Sequence, residues 1–377
     1  MAETMPLPAQ RPPGPRRSKK KIGLWILAVL IALPVIAIIV IATFDWNRAR
    51  PWINNKVSDA IDRPFAIQGD LTVSWERPAA RMAPAERTWR DHIPWPYLVA
   101  RNTTIGNPAG MAAGNMASVG QFSFSLDPLA LLDKRIGIPL LRFDAPRVDL
   151  LRTNAATNNW TFRRNEQPSR WNLDLERVVL TDGVIHVKDA VTKADVTARV
   201  RTLERDPVYG VAFTLDGDYN GAKVGGGGKL GSVFSLKDET APYPIQGEFK
   251  SGKTRIAITG TVTNPARLAA LDVQLELAGA SMARLYQFTG VLLPETPAFS
   301  TSGRLTGRLA KGASRWVYDG FAGKVGTSDI GGRLEYATGG ARPVLSGNVR
   351  SRQLVFADLA PLVGADSNAS KAARGVE

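Results

Sequence analysis

What most limits how this chain folds is a two-residue rhythm of apolar and polar side chains. Leu71, Val73 and Trp75 alternate with Thr72 and Ser74, and Phe122, Phe124 and Leu126 alternate with Ser123 and Ser125. Val211, Phe213 and Leu215 follow, then Val273, Leu275 and Leu277 between Asp272, Gln274 and Glu276. Successive side chains of a strand point to opposite faces, so each run makes a strand with one apolar and one wet face. Asp182-Gly183, Asp216-Gly217, Asn220-Gly221 and Gly331-Gly332 read as hairpin turns. The expectation is a mainly β, antiparallel, meander-like body with few helices.

Four short helices are expected. Pro51 suits a first helical position, and Ile53, Val57, Ala60 and Ile61 recur at helical spacing before Arg63-Pro64 stops the run. Asp127 caps Pro128 to Asp133, with Gly137 as the stop, and Pro265 to Ala270 and Ser281 to Phe288 follow similar logic. None of these can cover a broad sheet. The apolar strand faces therefore need another partner: a second sheet, giving a sandwich, or strong curvature that leaves them lining a groove. Packed cores are far commoner than open apolar channels, so pattern alone favours the sandwich.

Charge locates the body. The 377 residues carry 48 Lys and Arg against 34 Asp and Glu, a formal +14, and six of those basic groups with one acid sit in residues 1–21. Ile22 to Phe44 then runs 23 residues without a charge, about 34 Å as a helix and enough to cross a hydrocarbon layer of roughly 30 Å. It is longer than the usual apolar core of a signal peptide and has no small-x-small cleavage site before Asp45, so it reads as a retained transmembrane anchor. Pro34 lies mid-span, and Trp25 and Phe44 are placed for interfacial anchoring. The basic cluster ahead of the span puts the N-terminus in the cytoplasm and the body outside it. The same adjacency excludes nucleic acid as the partner of the basic tip, which lacks interleaved aromatics. The organisation expected is a basic tail (1–21), an anchor (22–44), a β-rich body (45–364) and a polar, linker-like end (365–377).

Little catalytic chemistry is on offer. With no cysteine there is no thiol nucleophile, disulfide or Cys-ligated metal, and His92 and His186 are isolated from each other and from ligand-spaced neighbours. Gly247-Glu248-Phe249-Lys250-Ser251-Gly252-Lys253-Thr254 matches a phosphate-binding loop letter for letter, but that loop must lead into a helix. Here Arg255 to Thr259 alternates as a strand, so the segment reads as a hairpin turning at Lys250 to Lys253. Gly225 to Gly228 reads as a flexible turn or bulged edge, and Ser328 does not sit in a hydrolase elbow. No enzyme and no cofactor is expected. Residues 77–96, rich in Pro and Arg, read as a long loop whose Arg87, Trp89, Arg90 and Trp95 could meet a membrane surface.

The order of segments resembles the AsmA family of Gram-negative envelope proteins. The likeness starts at the anchor and continues through Lys56 to Leu71, Asp127 to Leu132, Pro146 to Leu150 and Asn158 to Phe162, then Ser281 to Leu285 and Ser351 to Leu362. It covers most of residues 22–364, and the order and spacing of segments carry it more than any one motif. It implies an inner-membrane anchor and an elongated, curved antiparallel periplasmic sheet rather than a closed sandwich. It also implies an apolar groove that assists phospholipid transport, with Phe122, Phe124, Leu126, Val211, Phe213, Leu215, Val273, Leu275 and Leu277 as lining. Membrane phospholipids are the implied partners. The alternative is a structural or regulatory factor acting on outer-membrane or other envelope proteins. Family members are usually longer, so the chain is expected to be the N-terminal part of a larger protein.

Overall fold

The structure is a computed structural model that describes residues 43–77, 94–112, 114–162, 172–232, 240–265, 268–289, 293–310 and 312–359, with scattered positions between 25 and 40. After a 3-10 turn (Trp46–Ala49) comes helix α1 (Arg50–Ile61), with a proline in its first turn and Asp62 in the left-handed conformation as its C-cap. Strands follow as β1 (Phe65–Ile67), β2 (Leu71–Glu76), β3 (Trp95–Gly106), β4 (Asn115–Ser125), β5 (Arg135–Ile138), β6 (Leu141–Arg152), β7 (Asn172–Leu175), β8 (Val178–Thr181), β9 (Gly183–Asp189) and β10 (Ala194–Thr202). The second half continues through β11 (Val211–Tyr219), β12 (Ala222–Leu230), β13 (Pro242–Ser251), β14 (Thr254–Thr263) and β15 (Ala270–Gly279). A crossover with a 3-10 turn (Met282–Leu285) and helix α2 (Tyr286–Thr289) leads to β16 (Phe299–Ala310), β17 (Ala313–Val325), β18 (Ser328–Ala337), β19 (Val344–Arg350) and α3 (Phe356–Leu359).

Seventeen of these strands form one sheet, and β5 and β7 make a separate parallel pair. Because β1 and β2 both pair with β3, and β8 and β9 both pair with β6, the sheet is fifteen ladder positions wide, roughly 67 Å at the usual strand spacing. From β9 to β19 it is an uninterrupted antiparallel meander. A second large sheet to complete a sandwich is absent among the described residues, so the pattern-based preference for one is overturned. The antiparallel expectation needs one correction too: β6 pairs in parallel with β8 and β9, because the chain leaves the sheet after Arg152 and returns in the same direction.

Three of the four dipeptides read as hairpin turns lie elsewhere. Asn220-Gly221 does turn, with φ of 49° and 81°, the mirror-image turn that matches strand twist. Asp182 (φ 51°) instead forms a break between the collinear β8 and β9. It is one of a row with Asn102 (φ 50°), Gly120 and Ala145 (φ 51°), which interrupts neighbouring strands at one level and bends them together. Gly217 and Gly332 sit inside β11 and β18, where a Cβ would collide with the backbone of the neighbouring strand. Gly225 to Gly228, read as a turn or edge, lie in the interior strand β12. Of the helix expected over Pro265 to Ala270, Pro265 and Leu268 are in turns and Ala270 opens β15, while residues 266–267 lie outside the described residues. Asp127 caps as expected, accepting from the amides of Leu129 and Ala130, but the 3-10 turn Ala130–Asp133 stops at Lys134 (φ 56°) before Gly137 is reached.

The run 22–44 lies for the most part outside the described residues, Ile22 and Pro34 included. Its described members, such as Trp25, Val29, Leu33, Ile36 and Ile39, are helical and exposed. Among the described residues no helix is long and apolar enough to cross a membrane.

Candidate functional site

Residues directly opposite each other in a ladder share a face, so register traces each face across the molecule. Beginning at Phe65, the partners are Ile105, Ala117, Val148, Ile185, Ala198 and Leu215. The line continues through Gly226, Phe249, Ile256, Leu277, Thr301, Gly323 and Ile330. Fourteen consecutive positions thus contain no charge. A second line runs beside it: Leu71, Ala100, Phe122, Phe143 and Leu180 on one side, then Val211, Leu230, Ile245, Gly260, Val273, Leu305, Tyr318 and Leu334. The bend row does not swap the faces, since Phe65, Ile67, Leu71, Ala100 and Phe122 pack in one cluster.

Eight of the nine residues expected to line a groove therefore have a common side. Phe122, Phe124, Val211, Phe213, Leu215, Val273, Leu275 and Leu277 all belong to the apolar face, and Leu126 lies one residue past the end of β4. Val211 and Val273 are buried, while Phe213, Leu215, Leu275 and Leu277 are half-buried. Half-burial is the telling state: the rows shield one another, and among the described residues no second layer seals them along the whole face as a core would. Phe122 stacks with Phe124 at 6.2 Å, and Phe213 stacks with Phe249 at the same distance. The second stack spans β12, whose Gly226 and Gly228 leave room for the rings. Tyr318 is the polar intruder: its hydroxyl meets Thr301 Oγ1 at 3.1 Å, and burial pushes its pKa up.

The other face is ionic. Arg304 forks onto Asp272 at 2.7 and 2.6 Å, Arg315 onto Glu335 at 2.6 and 2.9 Å, and Arg199 bonds Asp216 at 2.9 Å. Arg255 and Lys250 hold the Glu248 carboxyl down at about 2. His186, expected to be a structural or surface residue, lies between Asp195 (2.8 Å) and Asp149 (3.2 Å), the first of which does most to raise its pKa. Lys250 to Lys253 form a hairpin, with Lys250 opposite Arg255 and Gly252-Lys253 as its two-residue loop. The loop leads into β14 and, among the described residues, no helix N-terminus faces it, so the phosphate-loop geometry is not built there.

The two edges of the sheet differ. The first is sealed by side chains on one stripe of the N-terminal helical segment. Asn47 Oδ1 accepts from the Leu71 amide (3.0 Å), Asn54 Oδ1 from Ile67 (3.0 Å) and Ser58 Oγ from Phe65 (2.9 Å), while Arg50 donates to the carbonyls of Gln68 and Gly69. This role is missed by a search for apolar periodicity, because the stripe is polar. The far edge, β19, pairs with β18 on one side and is exposed along its length, Val344, Leu345 and Val349 included.

Of the loop residues proposed for a membrane surface, Arg87, Trp89 and Arg90 lie outside the described residues, as does His92. Trp95 is not on a loop: it opens β3 and is 5% exposed.

A curated relative, AsmA family protein YhjG of Escherichia coli (strain K12), is 40% identical over 374 residues, covering 92% of this chain and 54% of its own length. The chain thus spans about half the length of that relative. No solved structure matches. The AsmA family profile matches residues 17–376, and the chain belongs to the AsmA family.

Proposed function

We propose that this chain is an envelope protein, anchored in the inner membrane by Ile22 to Phe44 with a periplasmic body, that shields lipid acyl chains along its apolar face. The observation that carries the reading is the uncharged line from Phe65 to Ile330, which crosses the sheet at right angles to its strands. An alkyl chain laid along it exchanges water for Leu, Ile, Val and Phe at roughly 25 cal/mol per Å² of apolar surface covered, while the headgroup stays wet. Movement along such a path is passive partitioning and needs no catalytic group. Family membership supports an envelope role, and the half-burial of the face supports a ligand-accessible surface. Photo-crosslinking side chains at Phe122, Phe213 and Leu275 should capture phospholipid in cells, and those at the outward Gln274 and Glu276 should not. Equal labelling at both sets would defeat the reading.

A second reading is favoured by the β19 edge, which among the described residues pairs on one side alone and so offers backbone groups to a strand of another envelope protein. Purification of the tagged chain separates the two: co-purified phospholipid without a stoichiometric protein supports the first, and the converse supports the second.

A further inference from the structure

The apolar face is not an open trough throughout. The crossover between β15 and β16 folds back onto it. Its base is clamped by reciprocal bonds: Ser281 Oγ accepts from the Thr296 amide at 3.0 Å, and Thr296 Oγ1 accepts from the Met282 amide at 3.1 Å. Leu285, 4% exposed, packs with Phe299 and Val325 in a cluster that also takes in Leu277 and Ile330. Both of the latter belong to the uncharged line, so the crossover covers that line over β15 to β18. Phe288 of α2 also borders a half-open pocket of about 320 Å³, lined on its apolar side by Val196, Leu215, Val224, Phe249 and Ile256 and bounded as well by Lys250, Ser251 and Thr254.

We propose that this pocket is a half-open chamber that seats a single alkyl chain, and that Phe288 is the residue that sets how much chain it admits. The inference rests on the acyl-chain reading above and adds a selective step to it. The volume falls at the small end of the range for ligand cavities, roughly 300–1,000 Å³, which suits one chain better than a whole two-chain lipid. Its walls come from five strands whose register is fixed, whereas its roof comes from α2, a four-residue helix. The wall is thus the rigid part and Phe288 the adjustable one. A lipid travelling along the face from β1 toward β19 meets this chamber before it meets the covered stretch at Leu277.

The test uses the full chain in detergent micelles, with a photo-crosslinking side chain at Leu215 inside the chamber or at Phe122 on β4 outside it. The probes are radiolabelled one-chain lysophosphatidylglycerol and two-chain phosphatidylglycerol. Phe288→Trp, which fills the chamber, should lower capture of the one-chain probe at Leu215 by about fivefold or more and leave capture at Phe122 unchanged. Phe288→Ala should raise capture of the two-chain probe at Leu215. Unchanged capture at Leu215 in both variants, with Phe122 still labelled, overturns the chamber while leaving the groove standing. Failure of either position to capture lipid in the unaltered chain defeats the groove reading and the chamber with it. Retained labelling at Phe122 also reports that each variant has folded.

Discussion

Gly226 and Gly228 show how one missing side chain shapes the face. Phe213 pairs with Gly228 and Phe249 with Gly226, so the two rings lean toward each other over a strand that has nothing to put between them. A Cβ at Gly228 would run into the carbonyl of Gln246. Gly228→Val should therefore cost about 1–3 kcal/mol by overpacking, read as a lower denaturation midpoint, whereas Lys253→Ala in the exposed hairpin loop should change stability by no more than about 0.5 kcal/mol. The parallel junction of β6 and β9 carries a pH dependence. Arg152 forks onto Asp189 and holds that carboxyl far below its usual range. This contribution is present above the unfolded Asp value and is lost as pH falls toward the folded one. His186 is raised instead, through its bond to Asp195, against some desolvation, with Asp149 adding to the rise. Its contribution is complete below its unfolded value and is lost as pH rises through the folded one. The junction should be firmest between about pH 4 and pH 6.5, measured as slowest amide exchange in β9 and β10. Asp195→Asn should bring the His186 titration down, followed by NMR.

At the scale of elements, what could be read in advance follows from local chemistry. Helix α1 was legible because Pro51 and the Arg63-Pro64 stop bracket it, yet its work on the sheet edge was not. Asn47, Arg50, Asn54 and Ser58 are ordinary polar residues until β1 and β2 are brought alongside. Losing a partner from a part-buried backbone group costs about 1–3 kcal/mol. Asn54→Ala combined with Ser58→Ala should accordingly speed amide exchange at Phe65 and Ile67 while leaving β16 to β18 unaffected. Residues 351–359 are held differently. The Asp329 carboxylate accepts from Ser351 and from the amides of Arg352 and Gln353, and Asp358 accepts from the amides of Thr327 and Ser328. The Asp-Gly and Gly-Gly pairs misled because glycine marks two things in a sheet: a turn, and a place where neighbouring backbones come too close for a Cβ. Sequence separates these only when the flanking strands are already known.

At the scale of the whole molecule, the proposed lipid path depends on the continuity of the face. A charge at one point of the uncharged line should affect lipid well beyond that residue. Leu215→Glu is expected to reduce co-purified phospholipid, measured by mass spectrometry, whereas Thr214→Glu on the ionic face of the same strand should not. Equal loss in both would show that the effect is general destabilisation.

The amino-acid sequence by itself determined the strand character of the body, the apolar and polar sides of the strands that alternate, and the placement of α1, because alternation, proline and turn chemistry act over a few residues. The tertiary structure decided which sides join. Whether Phe122 and Leu277 share a face depends on the register of the eight ladders from β4 to β15 and on the break at Asn102, Gly120, Ala145 and Asp182. It decided, too, that one wide sheet forms where a sandwich was the simpler expectation, and that the β15–β16 crossover lies on the apolar face. Each of these outcomes depends on contacts between residues far apart in the chain, whose pairing no local pattern encodes.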